Sequence, residues 1–537
     1  MMNNKVGSAV EGVKSSSVMG KTVDEILEVI GQMGRFQISR LAMFCCLVFA
    51  PTFHLLNMFF IGAEAPWQCV KNSTECKLNG TFAAGDDDYN FRCNINRSEW
   101  EFADYEGPKD SIISQFDLVC DDAFKGWLAK SMVYIGMTVV TIPLGMISDR
   151  YGRLITLYPS LFVIIFVGFA SAFATEYWQF LVSRFFVGSV IYGAYFPIFI
   201  LSGEFVGPKY RPLSQTVMWF AFSVILLLLA LMAFFVRTWR TLMILCNAPW
   251  VFVFIFWKFT PESIRWYMTH EKIEKAEGEL RDIARVNRKE YPQEILKIPP
   301  SSTKSLSCIA LFSSWTLAIS ALIQAFTWFI NGMVYYGASY GASDLGGSMY
   351  LNYALTSLIE IPANFLVVDN CERFGRKKTV IFHMILGGIA CFVVSLIPAG
   401  VDRTDFIVGR VIGGMLGKGF ITVSFNSIYV WSGEIFPTVA RNSGMAFVGV
   451  MSRIGAVSAP FVVELKRIHP TLPFGLMGGL AVIAALGCLI LPETRGRPTA
   501  EVYDTNNDAA EEFILQRNGR NDDEESPTED AGKGTEA

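Results

Sequence analysis

Twelve runs of mostly apolar residues, at 41–62, 126–147, 154–174, 178–202, 213–235, 241–259, 312–336, 347–368, 379–398, 406–431, 443–463 and 472–492, leave this chain one solvent in which to fold. A helix needs about 20 such residues to cross a hydrocarbon core roughly 30 Å thick. Inside that core only helices and closed barrels satisfy their own backbone. Composition agrees: 52% of the residues are hydrophobic, 14% aromatic and 18% charged, outside the average of soluble domains. The predicted fold is therefore all-α, with twelve transmembrane helices in two six-helix pseudo-repeats.

The repeat is written in charged residues. Between the second and third runs stands Gly145-x-x-x-Asp149-Arg150-Tyr151-Gly152-Arg153, and between the eighth and ninth stands Glu372-Arg373-Phe374-Gly375-Arg376-Lys377. Other pieces recur at almost the same displacement: Arg150 and Arg373 are 223 residues apart, Arg184 and Arg410 226, Glu204 and Glu434 230, Glu262 and Glu493 231. A period this long is no solenoid of small units. Paired halves around a central site are the architecture with which secondary transporters alternate access.

The expected organisation is a cytoplasmic segment over 1–40, a six-helix half over 41–259 with a large loop at 63–125, a linker over 260–311, a second half over 312–492 and an acidic tail over 493–537. Thr22-Val-Asp-Glu25 has capping-box spacing and opens an amphipathic stretch, Ile26, Leu27, Val29, Ile30 and Met33, expected to lie along the inner membrane face. The tail has too little apolar surface to fold and reads as disordered. The net charge of −4 says little, because acidic residues concentrate in the tail and the large loop.

Two counts orient the chain. The sequons at Asn72, Asn79 and Asn96 all fall in the loop after the first run, which makes that loop extracellular. The short even-numbered gaps are basic, with Arg150, Arg153, Lys209, Arg211, Arg373, Arg376, Lys377 and Lys378, as cytoplasmic loops are. Both termini are thus expected in the cytoplasm of a multi-pass plasma-membrane protein. Cys69, Cys76, Cys93 and Cys120 share the sequon-bearing loop, where an oxidising compartment favours disulfides in any of three pairings. The other seven cysteines have no metal-ligand spacing, so no metal site is expected.

Several chemistries are excluded. No Gly-x-x-x-x-Gly-Lys-Ser/Thr cradle is present to drive an ATP-powered pump. No hydrolase signature is present and the chain has only four histidines, so no enzyme is expected. The basic stretch from Lys272 to Lys304 alternates with acids and lacks aromatics, which suits a solvated helical linker better than a nucleic-acid surface.

Five pieces carry a family resemblance: Asp149-Arg150-Tyr151-Gly152-Arg153, the segment from Glu204 to Arg211, Pro261-Glu262-Ser263-Ile264-Arg265-Trp266, the segment from Ser432 through Glu434 to Arg441 and Asn442, and Pro492-Glu493-Thr494-Arg495-Gly496. Over about residues 20–500 the chain resembles the organic cation, organic anion and carnitine transporters of the major facilitator superfamily. The resemblance implies a carrier of small organic ions that works without ATP and without a cofactor. The coupling ion, sodium or proton, stays open, as does the oligomeric state, for which a monomer is allowed; membrane lipid is the other expected partner.

The charges at the cytoplasmic span ends, Asp149, Arg150, Arg153, Glu204, Arg211, Glu262, Arg373, Arg376, Glu434, Arg441 and Glu493, are expected to form a latch between the halves; the alternative is that the basic ones only enforce topology. Asp149 stands at the wrong end of its helix for the dipole, so another helix N-terminus or an arginine should hold it; the resemblance suggests the start of the eleventh span. Two charges fall deep inside runs, Glu360 and Arg453, each costing about 2.5–3.5 kcal/mol to insert. They are expected to face a cavity and to pair across it when it is empty. The resemblance places Arg453 in an anion or carnitine branch, and one carboxylate with one guanidinium suits a zwitterion such as carnitine, betaine or ergothioneine; organic cations, an organic anion exchanged across the membrane, a structural ion pair, and a receptor that binds without translocating are the alternatives. Tyr335, Tyr336, Trp219, Tyr429 and Trp431 fall at positions that line the family's cavity, and His54 and Asn57 add polar groups on the first span.

Overall fold

The computed structural model describes residues 21–71, 73–83, 86, 88–103, 110–292, 296, 311–312, 314–398, 403–437 and 440–496. Among them are twelve helices long and apolar enough to cross a membrane: Arg35–Ile61, Cys120–Tyr151, Leu154–Ser171, Tyr177–Glu204, Pro208–Phe235, Trp239–Phe259, Trp315–Leu345, Met349–Arg373, Arg376–Leu396, Thr404–Ile435, Arg441–Arg467 and Leu472–Ile490. Each overlaps one predicted run. The largest extension at a single end is in the seventh, which continues from Tyr336 to Leu345 because Tyr340, Ala342 and Leu345 remain buried in protein.

Close helix crossings are made at glycines, whose lack of a side chain lets backbones approach. A methyl group on Gly455 of the eleventh span would come within 2.1 Å of the Phe329 carbonyl oxygen in the seventh. Backbone there meets backbone, and no side chain fits between. The halves touch chiefly where the second span packs on the eleventh and the fifth on the eighth.

The large loop builds a small antiparallel sheet in which Trp67–Cys69 is flanked by Thr81–Phe82 and Trp100–Phe102. Disulfides join Cys69 to Cys76 and Cys93 to Cys120. The second bridge ties the short helix Tyr89–Asn94 to the start of the second span. Asn79 and Asn96 are exposed, as glycan acceptors must be, and Asn72 lies outside the described residues.

At the opposite face the helix Val23–Ile30 forms with the predicted capping box, but its apolar side is covered by protein and not left free for lipid. Ile26, Leu27 and Ile30 are fully buried against protein, and the helix packs on Ile273–Asn287 of the linker. That linker helix supplies the apolar partner, through Ala276, Leu280 and Ile283, which removes the need for lipid. Asp24 clamps the arrangement by pairing with both Arg211 and Arg265. The acidic tail beyond 496 and the linker at 293–295 and 297–310 lie outside the described residues.

Candidate functional site

A cavity of about 530 Å³ opens between the halves, walled mainly by aromatic rings. Trp219, Tyr335, Tyr336, Tyr429, Glu360 and Arg453 all line it, so six of the predicted positions converge. The fourth span adds a stripe that sequence reading missed: Tyr192, Tyr195, Phe196 and Phe199 fall at i, i+3, i+4 and i+7, one face of a helix. That spacing was the available signal.

The two charges do not pair as expected. Glu360 Oε1 lies 2.9 Å from the Lys418 ammonium, both side chains almost without exposure. Tyr335 donates its hydroxyl to the same oxygen at 3.0 Å, and Ser223 of the fifth span donates to Oε2 at 3.4 Å. Asn364 donates to Ser223 at 3.4 Å and accepts from Asn426 at 2.7 Å, which extends a polar strip along the wall. Lys418 sits midway along the tenth run, where the test that singled out Glu360 and Arg453 applies equally.

Arg453 instead lies over the Tyr192 ring, 4.0 Å from its centroid, with Phe196 at 5.9 Å. Among the described residues it makes no ion pair, and its buried Nε has no hydrogen-bond partner. Of the charged side chains on the cavity wall, one is compensated and the other is not.

His54 and Asn57 belong elsewhere. Both are fully buried within the first half, in a network with Arg184 and Asn247. Arg184 donates to His54 Nδ1 at 2.5 Å and to Asn57 Oδ1 at 3.2 Å. The imidazole proton therefore sits on Nε2, which donates to Asn247 Oδ1 at 2.8 Å. A buried guanidinium needs acceptors, and these residues supply them, turning away from the cavity. Trp431 likewise faces protein, donating to the Pro492 carbonyl at 3.1 Å.

The cavity runs out toward the face bearing the duplicated motifs, where Pro212, Gln215 and Thr216 near the start of the fifth span and Val367 and Val368 near the end of the eighth line it. Gly152 and Gly375 both take positive φ, +115° and +94°, and each turn is held by a glutamate from its own half. Glu262 accepts from the Arg153 amide at 2.8 Å, and Glu493 from the Arg376 amide at 2.9 Å. Ser263 donates to Glu204 as Thr494 donates to Glu434. Arg376 pairs with Glu434 at 2.9 Å and Arg373 with Asp369 at 2.7 Å. Asp149 pairs with Arg153 at 2.5 Å, one turn on in its own loop, and not with the start of the eleventh span, where Arg441 stands. Arg150 lies over Tyr151. All these gate contacts stay within one half.

The face bearing the disulfide-linked loop is closed across the halves. Arg467 of the eleventh span pairs with Glu64 at 2.8 Å, and Lys130 of the second approaches Glu464 at 3.7 Å. Glu64 also binds Arg92 of the loop at 2.6 Å. Burial alone would push the Glu64 carboxyl up, but Arg467 and Arg92 outweigh it and hold it below the usual carboxylate range. Deeper, Tyr134 meets Tyr340 at 3.2 Å and Ser131 donates to the Val457 carbonyl at 2.8 Å.

Twelve spans in related halves around a central cavity, with one face sealed and the other open, define the architecture of a carrier of the major facilitator fold. The sugar (and other) transporter family model matches residues 79–505. Human solute carrier family 22 member 13 is 30% identical over 88% of this chain and 91% of its own length, and a member 15-like protein of Xenopus tropicalis is 34% identical over 73% and 80%. The proton:xylose symporter XylE bound to 6-bromo-6-deoxy-D-glucose superposes with a TM-score of 0.58 at 16% identity, over 86% of this chain and 97% of that one; its likeness bears on the fold alone. The chain belongs to solute carrier family 22 and is a secondary transporter of small organic ions, not an enzyme.

Proposed function

We propose that this carrier moves small organic anions, carboxylates with an aromatic or apolar body, across the plasma membrane, with both termini and the open face of the cavity in the cytoplasm. The observation that carries the reading is the charge balance of the wall: Lys418 compensates Glu360, while Arg453 keeps an uncompensated guanidinium among aromatic rings. A guanidinium offers a carboxylate two parallel donors, and the rings give an aryl body its contact area. A zwitterion would have to draw Glu360 away from Lys418 before its ammonium found a free carboxylate. The exposed Asn79 and Asn96 and the basic gaps on the opposite face support the orientation.

Uptake by cells and proteoliposomes of a labelled aryl carboxylate, carnitine and tetraethylammonium, with and without sodium and with each substrate preloaded on the far side, tests the reading. Aryl carboxylate uptake that exceeds the other two supports it. Preference for carnitine or tetraethylammonium overturns it, and binding without translocation in proteoliposomes leaves a receptor in place of a carrier.

A further inference from the structure

Lys418 is fully buried in the tenth span and is not on the cavity wall, whereas its partner Glu360 is. Its ammonium is 2.9 Å from Glu360 Oε1, 5.1 Å from the Tyr335 ring centroid and 6.0 Å from that of Tyr353. An approaching substrate thus meets a carboxylate with one oxygen held by Lys418 and Tyr335 and the other held by Ser223. The pair has no clear use as a stabiliser, since a buried ion pair is often no better than apolar residues of the same shape. Its consequence for the cavity is direct. With the pair intact the one uncompensated charge among the described residues of the wall is positive, and without Lys418 a bare carboxylate stands beside the aromatic rings that suit an ammonium.

We infer that Lys418 is a specificity-determining residue that acts through Glu360, masking this carboxylate so that the cavity accepts organic anions and refuses organic cations. The inference rests on the anion reading above for the wild-type preference, but the mask itself concerns what happens to cations when Lys418 is lost. It also assigns Ser223 and Tyr335 a shared part, because each fills a lone pair on Glu360 that a substrate ammonium would need.

The test is uptake of tetraethylammonium and of a labelled aryl carboxylate by surface-quantified variants. Lys418→Met keeps the apolar stem and removes the charge; it should raise tetraethylammonium uptake about tenfold or more, a difference of about 1.4 kcal/mol, and depress aryl carboxylate uptake. Adding Glu360→Gln should abolish the gained cation uptake and recover anion uptake from the level of the single variant. Lys418→Arg keeps a cation at the same place and should go on refusing tetraethylammonium. Glu360→Gln alone unmasks the ammonium and should lower the KM for the carboxylate with cations still refused.

A Lys418→Met carrier at the surface that gains no cation uptake overturns the inference, as does a double variant no better with anions than the single one. If Lys418→Met fails to reach the surface, Glu360→Gln decides: an unchanged or raised carboxylate KM shows a structural pair only. Failure of the anion reading looks different, because the wild type then takes up no aryl carboxylate while the cation comparison still judges the mask.

Discussion

Glu64 makes the shortest ion pair across the sealed face, and its removal has a calculable effect on the resting state. Of its two arginine partners, Arg92 comes from the loop tied by the Cys93–Cys120 disulfide to the second span, and Arg467 comes from the other half. Only the Arg467 contact must break when this face opens. A hydrogen bond to a charged group contributes about 1.5–3 kcal/mol, and side-chain exposures of 20% and 15% for Arg467 and Glu64 favour the low end. Taking about 1–2 kcal/mol, Glu64→Gln should shift the equilibrium toward the open loop face by about 5- to 30-fold. Spin labels at Asp121 and His469, which lie on different halves and are both exposed, would report it as growth of a longer distance component. Arg467→Gln should do the same, since it removes the same crossing contact. Acid should not: with its pKa depressed, Glu64 keeps its charge until pH falls below the usual carboxylate range, so the distance distribution should hold from pH 7.5 to 5.5. Unchanged distances in both variants would refute the assignment of this pair as the crossing clasp.

Arg453→Ala should raise the KM for an aryl carboxylate about 10- to 100-fold, the loss of a charge-assisted contact, and Arg453→Lys should restore little of it because a point charge lacks the planar fork; uptake kinetics at matched surface levels check this. Substituting Asn79 and Asn96, with Asn72, should abolish the mass shift that a glycosidase produces, and a surviving shift would place glycans elsewhere. Burial and neighbouring Asp282 push the Glu279 carboxyl up to about 7, against the pull of Arg40. Deprotonation above that value therefore costs stability, accumulating from about pH 4.5 to 7 and complete above it. Because Glu279 is partly exposed, solvent screening limits the effect to about 1 kcal/mol or less; Glu279→Gln should raise the melting temperature at pH 8 and leave it unchanged at pH 4.5.

The twelve spans were legible because apolar length and backbone satisfaction leave a membrane chain little choice, and the motif displacement of 223–231 residues declared the halves. The midspan charges were legible as unusual, but not their partners. Burial cost marks Glu360, Arg453, Lys418 and Arg184 alike, and only rotation of each helix about its axis decides which meet. Glu360 found Lys418, and Arg184 found His54 and Asn57. The same limit explains Trp431, two residues beyond cavity-lining Tyr429 and so turned about 200° away around a 3.6-residue helix. The amphipathic helix at Val23–Ile30 was legible as a helix, yet its periodicity could not say whether lipid or the linker would cover its apolar side.

The two motif clusters share one geometry. In each half a glycine with positive φ, an arginine amide, a glutamate from the segment after the sixth helix of that half and a hydroxyl-bearing residue after it repeat almost contact for contact. Clusters closed within a half bind its own helix ends together, so each half can tilt as a unit. Asp149, with its side chain 75% exposed, is the member least committed to its own half. In the state observed the charged repeat therefore braces each half within itself, through Glu262 in the first and Glu493 in the second, and leaves the Asp149 side chain largely exposed beside Arg153.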